Sequence, residues 1–118
     1  MYIVYGIANC DTTKKAIQWL KKNKIDHRFH NYKLSNIDSA TLQRWILQSG
    51  MDAIFNKRST TWRELPKDIQ ESVTTEKSAI ALMQKFTSII KRPVIEQNKK
   101  IIVIGFNEKK YKNLFSPS

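Results

Sequence analysis

The first apolar run of the chain, Tyr2-Ile3-Val4-Tyr5, is short, rich in β-formers and stopped by Gly6, which predicts a buried strand. After the loop Ile7-Ala8-Asn9-Cys10 the period changes. Thr13, Ala16, Ile17 and Leu20 recur at helical spacing, with Lys14, Lys15, Lys21 and Lys22 mostly off that stripe, so a helix is expected over about 11–24. The alternation of His27-Arg28-Phe29-His30-Asn31-Tyr32 predicts a second strand, and its distance from the first allows a right-handed βαβ crossover. Asp38 is placed to cap a helix carrying Leu42, Trp45, Ile46 and Ser49, with Gly50 to close it. Further helical stretches fall at about 52–55, 66–73 and 76–86, the last with Ala79, Leu82, Met83 and Phe86 on one face. Past Arg92-Pro93, Val94-Ile95-Glu96, the polar turn Gln97-Asn98-Lys99 and Ile101-Ile102-Val103-Ile104 predict an antiparallel hairpin ending at Gly105. Asn107 can cap a last helix carrying Tyr111, Leu114 and Phe115, and the tail Ser116-Pro117-Ser118 is expected to fray.

The element order is therefore β-α-β, a helical block, then β-β-α. That order predicts an α/β fold with a mixed four-stranded sheet of thioredoxin-like topology, its core at about 1–34 and 88–115 and a helical insertion at about 35–87. A length of 118 residues suits one domain, 1–118, and no repeat, linker or low-complexity segment interrupts it.

Composition narrows the partners more than the chemistry. Apolar residues make up 41% and charged residues 26%, as in a soluble globular protein. Twenty-one Lys and Arg against 10 Asp and Glu give a net charge of +11, which favours anionic partners and permits weak nucleic-acid binding. The cations are spread along the chain instead of gathered into one arm, so a solvated basic face is expected. The start has no basic leader and no window approaches the roughly 20 apolar residues of a membrane span, so a soluble, cytoplasmic protein is expected. The single cysteine rules out an intramolecular disulfide, a CxxC pair and a cysteine metal cluster together, and fits a reducing compartment. His27 and His30 lie three apart on a strand, hence on opposite faces, without further ligands nearby, and no metal is expected.

The chemistry concentrates at Cys10, where a strand ends and a helix begins. Unpaired backbone N–H groups and the positive end of the helix dipole favour a thiolate there, and such surroundings lower a thiol pKa from about 8.5 to roughly 3.5 to 7.5. A lone cysteine is often only a small buried hydrophobe. The polar neighbours Asn9, Asp11, Thr12 and Thr13 argue instead for an exposed turn. Pro93 is expected to be the cis-proline that abuts the reactive cysteine in thioredoxin-like folds, which brings Arg92 beside Cys10. An arginine so placed both stabilises a thiolate and binds an anion through its fork of donors. The segment Asn56-Lys57-Arg58-Ser59-Thr60-Thr61-Trp62-Arg63 has two readings that the sequence leaves open: an anion-binding loop, or a polar connection whose Trp62 plugs the core.

Four stretches, Tyr5 to Ala16 (YGIANCDTTKKA), Lys57 to Arg63 (KRSTTWR), Ile89-Ile90-Lys91-Arg92-Pro93 and Ile104-Gly105-Phe106, resemble in order and spacing the ArsC-like proteins. That family comprises glutathione-linked arsenate reductases, Spx transcription regulators and the YffB group, and the likeness to YffB is the greatest. The resemblance covers nearly the whole chain and implies a nucleophilic cysteine at Cys10 with an arginine, Arg92, facing it. It sets Lys14 where arsenate reductases usually carry arginine and Arg58 in the basic loop that Spx and YffB share. Asn9 and Thr13, which flank Cys10, join them as anion-binding candidates. Three departures matter. No cation stands at 104–106, where arsenate reductases carry a late arginine; Gly6 stands where they carry a histidine; and Thr13 replaces the second cysteine of Spx, which excludes a Spx-like disulfide sensor.

What the resemblance implies is a cytosolic thiol/disulfide reductase that binds no cofactor and uses glutathione as reductant. Cys10 attacks, and an external thiol, from glutathione or glutaredoxin, resolves the mixed disulfide because the chain has no second cysteine. Arsenate reduction and a non-enzymatic, Spx-like transcription-related module are the alternatives. Partners are expected to be small anionic molecules, not membrane, nucleic acid or RNA polymerase, and the protein is expected to be a monomer.

Overall fold

Strand β1 (Tyr2–Gly6) and strand β2 (His27–Asn31) pair in parallel, Tyr2 opposite His27 and Gly6 opposite Asn31, joined by helix α1 (Asp11–Lys22). The computed structural model describes residues 1–115 and divides into two compact units: Met1–Tyr32 with the chain from Arg92 onward, and Lys33–Lys91. The predicted fraying of Ser116-Pro117-Ser118 lies outside the described residues.

In the first unit, β3 (Val94–Gln97) runs antiparallel to β1, and β4 (Lys100–Ile104) antiparallel to β3, so the sheet order is β2-β1-β3-β4. This is the expected mixed four-stranded, thioredoxin-like sheet. The hairpin turns through Asn98 and Lys99, both at positive φ, 52° and 64°. A register shift at Ile95 and Glu96 marks a bulge in the β3–β4 ladder. Helix α8 (Glu108–Leu114) starts where expected, the Asn107 side chain accepting from the Lys110 N–H at 3.0 Å. The helical period of α1 and the alternation of the strands meet in one core: Val4, Ile95 and Val103 from the sheet, Ala16 and Leu20 from α1, Tyr111 and Phe115 from α8. Trp19 and Phe106 close edge-on upon the Tyr111 ring, at centroid distances of 5.4 and 4.9 Å, and the Tyr111 hydroxyl donates to the Gly105 carbonyl at 2.5 Å. Through Ala16, Trp19 and Leu20 this core seats α1 on the sheet.

The second unit is the helical segment between β2 and β3. It holds α3 (Ser39–Ser49), α4 (Met51–Ile54), α5 (Thr60–Glu64), α6 (Lys67–Glu71), α7 (Glu76–Lys85) and a 3₁₀ turn at Thr87–Ile89. Asp38 caps α3 by accepting from the Thr41 N–H at 2.8 Å, and Gly50, at φ 87°, ends it as a left-handed stop. Thr75 and Ser78 form a capping box at the start of α7. A single β-bridge joins Phe55 to Ile90, and the Asn56 and Lys91 N–H groups donate to Ile89 O and Ile54 O at 2.7 and 2.8 Å.

Two short helices depart from the sequence expectation. Tyr32 does not end β2 but opens the one-turn helix α2 (Tyr32–Ser35), and α5 forms inside what the pattern left as a connection. Four- and five-residue helices complete barely a turn, too little for a hydrophobic period to register.

Candidate functional site

Cys10 is the N-cap of α1, in extended backbone at φ −136° and ψ 121°, with its carbonyl accepting the first helical bond from the Lys14 N–H at 2.9 Å. The residue is half-buried and its thiol is free. The side chain makes no cap hydrogen bond. What surrounds the sulfur is arranged for its ionised form. Burial pushes the thiol pKa up, but the Thr13 hydroxyl and backbone N–H, then the hydrogen bond and charge of Arg92, more than offset it and hold the thiol below its ordinary range.

Arg92 and Cys10 are 82 positions apart, and the fold brings the Arg92 Nε–H to donate to Cys10 Sγ at 3.2 Å. The Arg92–Pro93 peptide bond is cis and Pro93 is buried. The arrangement supplies a cation at hydrogen-bond distance to the sulfur of the residue at the N-cap of α1.

Thr13 is a correction. Its polar neighbourhood predicts an exposed turn, and Asn9, Asp11 and Thr12 are exposed, but Thr13 is completely buried. Threonine here is one of the residues with which α1 faces the sheet. Its Oγ1 is buried without a hydrogen-bond partner among the described residues. The acceptor it is held for is the Cys10 thiolate, whose formation it favours. Gly6 explains how it fits: a Cβ at position 6 meets Thr13 Oγ1 at 2.8 Å and Cγ2 at 2.9 Å, so glycine is what leaves room for this side chain.

Tyr32 is the site residue that the sequence pattern missed. It is 1% exposed, its hydroxyl shares a hydrogen bond with the Arg92 guanidinium, and it feels the charge of Cys10. Burial, first, then the Cys10 charge push its pKa far above the ordinary tyrosine range, against the pull of Arg92, so it stays neutral. The only sequence signal was an aromatic residue at the end of an alternating strand.

The remaining candidates contribute differently. Lys14 is exposed on the first turn of α1. Arg58 belongs to the second unit, where its side chain and that of Lys57 are exposed. Around it the polar groups have structural partners: Asn56 Oδ1 accepts from the Arg58 N–H at 3.1 Å, Ser59 caps α5 through the Trp62 N–H at 3.1 Å, and Thr61 and Ser88 hydroxyls bond at 2.6 Å. Trp62 stands edge-on to the Phe55 ring at 4.9 Å. Ser59 and Thr61 thus have structural partners, Trp62 is half-buried against Phe55 and does not plug the core as the connection reading had it, and Lys57, Arg58 and Arg63 are exposed. His27 Nδ1 donates to the Ile25 carbonyl at 2.9 Å and His30 packs against the Tyr5 ring at 5.0 Å. Among the described residues no group of three His, Cys, Asp or Glu side chains converges on a metal-sized site.

The model of the ArsC family matches residues 5–114. An uncharacterized protein of Haemophilus influenzae is 42% identical over 116 residues, covering 98% of this chain and all of its own. The global transcriptional regulator Spx of Streptococcus pneumoniae is 29% identical over 110 residues, 92% of this chain and 80% of its own. Among solved structures, the YffB protein superposes with a TM-score of 0.89 at 37% identity, over 98% of this chain and 100% of that one. An arsenate reductase-related protein from Brucella melitensis superposes at 0.75 with 38% identity, over 98% and 95%.

Proposed function

The chain belongs to the ArsC family, and on that premise we propose that it is a thiol/disulfide reductase in which Cys10 is the nucleophile and glutathione the external thiol. The observation that carries this reading is the Arg92 Nε donor at 3.2 Å from a cysteine sulfur placed at a helix N-terminus. A thiolate so stabilised is both nucleophile and leaving group near neutral pH. Cys10–S⁻ attacks one sulfur of a substrate disulfide R–S–S–G; the S–S bond breaks, RS⁻ leaves and takes a proton from water, and Cys10 is left as a mixed disulfide with glutathione. A glutathione thiolate then attacks that mixed disulfide, releasing oxidised glutathione and regenerating Cys10–S⁻. The chain has one cysteine, so the second step needs the external thiol. Lys14, from the exposed first turn of α1, is assigned to a substrate carboxylate and Asn9, next to Cys10 in the chain, to the same anion; Arg58, in the second unit, is an anion-binding candidate in its own right. The site is proposed to work in the cytoplasm, and glutaredoxin is a further candidate as resolving thiol.

Arsenate as the substrate draws less support from the residues. No cation stands at Ile104-Gly105-Phe106 to hold the oxyanion, and Gly6, crowded by Thr13, gives no imidazole there. A transcription-regulatory role has one observation in its favour, the likeness to Spx over 92% of the chain.

The test is the pH dependence of Cys10 alkylation by iodoacetamide in the native protein and in Arg92→Ala, followed by turnover of a glutathione mixed disulfide. The expected result is a thiol pKa clearly below about 8.5 that rises in the variant, with turnover lost in Cys10→Ser. A thiol titrating at or above that value, or unreactive until unfolding, overturns the reductase reading. A Cys10→Ser protein that keeps a transcriptional phenotype supports the regulatory one.

A further inference from the structure

Arginine is a long side chain with about 2 kcal/mol of rotamer freedom to lose, and a single N–H to sulfur bond is a weak tether for it. The guanidinium offers five donors, of which Nε faces Cys10 Sγ. A second contact on the same group decides whether Nε stays turned to the sulfur or swings to solvent. The Tyr32 hydroxyl makes that contact: Tyr32 is the buried first residue of α2, directly after Asn31, which pairs with Gly6 at the end of β1, and it is hydrogen-bonded to the guanidinium.

We propose that Tyr32 is a positioning residue, whose buried phenol oxygen accepts from the Arg92 guanidinium and thereby holds Nε against Cys10. This rests on the reading of Cys10 as an activated thiolate and deepens it. The choice of tyrosine has a physical reason. A carboxylate in this place would anchor arginine more strongly, but would also neutralise the cation and repel the thiolate. A phenol that stays protonated accepts the hydrogen bond and leaves the full positive charge available to sulfur. The charged and titratable groups coupled to one another here are Cys10, Arg92 and Tyr32; Thr13 adds an uncharged donor and Asp11, next along the chain, is exposed.

The experiment compares the pH profile of iodoacetamide alkylation in wild type, Tyr32→Phe, Arg92→Ala and the double variant, with thermal unfolding of each as the control on folding. The expected result is that Tyr32→Phe raises the thiol pKa and slows alkylation at pH 7 by about three- to tenfold, the effect of one hydrogen bond. In the Arg92→Ala background the same change has no further effect, because there is no guanidinium left to hold. A Tyr32→Phe protein that titrates like wild type overturns the proposal, as does an equal shift in the Arg92→Ala background, which would mean that the hydroxyl acts on Cys10 directly. If instead the wild-type thiol is not lowered, or Arg92→Ala leaves it unchanged, the activated-thiolate reading fails. Where Tyr32→Phe does not fold, NMR of the unmodified protein decides. Resolved, slowly exchanging Arg92 Nη–H signals with cross-peaks to the Tyr32 ring are expected, and averaged signals without them refute the anchor.

Discussion

Thr13 packs a hydroxyl against the backbone of Gly6 and beneath the Cys10 sulfur, so substitutions at 6 and 13 are coupled. Thr13→Val keeps the shape and removes the donor; the thiol pKa should rise with little change in unfolding temperature, read from the alkylation profile. Gly6→Ala places a methyl within 2.8 Å of that hydroxyl. Such overpacking costs about 1 to 3 kcal/mol, and Gly6→Ala combined with Thr13→Ala should recover most of it, as denaturant melts would show. The direction of the Cys10 shift also fixes a pH dependence. The folded thiol is lowered, so between its folded pKa and the ordinary value near 8.5 the unfolded chain binds more protons and stability rises with pH. This contribution is complete above about 8.5 and is lost as pH falls through the folded value. The gap in unfolding free energy between wild type and Cys10→Ser should therefore widen upward through that window, and a gap independent of pH would contradict the lowered thiol. At this scale Cys10 and Arg92 were legible from motif and fold position. Thr13 was legible through its place on the helical stripe with Ala16 and Leu20, against the exposed turn that its polar neighbours suggested; Tyr32 was not, because contact across 60 positions of chain leaves no periodic trace.

At the scale of elements, cap residues carried the clearest information. Asp38 and Asn107 accept the N–H bonds that their sequence positions predict, and Gly50 ends its helix at positive φ. Asn107→Ala removes the acceptor for Lys110 at the start of α8, the helix that carries Tyr111 and Phe115 into the core of the first unit. Its expected cost is about 1 kcal/mol, seen as a lower denaturant midpoint at unchanged slope. Although α8 backs the same core that seats α1, the alkylation pKa of Cys10 should stay at its wild-type value in this variant, since the cap changes stability and not the electrostatics at sulfur. The long helices α1, α3 and α7 were visible through their apolar faces. The one-turn α2 and α5 were not, and it is α2 that delivers Tyr32.

For the whole molecule, the pattern of runs gives two pieces of the sheet, a parallel βαβ unit that needs a crossover and two short strands around a two-residue turn that close as an antiparallel hairpin, while the pairing of β1 with β3 that joins them comes from the structure. The separation of a helical unit between β2 and β3 follows from the change of period from 2 to 3.6 after Ser39. Charge is the property that belongs to no element. A net +11 gives the protein a positive field whose reach is set by the Debye length, about 10 Å at 0.1 M salt. A glutathione mixed disulfide is anionic and is drawn into this field before any contact with Lys14 or Arg92; a neutral disulfide of similar reactivity is not. Raising ionic strength should therefore lower kcat/KM for the glutathione substrate severalfold, acting chiefly on KM, and leave the neutral disulfide nearly unchanged. Lys14→Gln should lower the glutathione value while leaving a steep salt dependence, because one charge in a field of this size is a small fraction of the total. Equal salt sensitivity for both substrates would mean that the ions act on the thiolate itself, through Arg92, and that the long-range field plays no part in choosing the substrate.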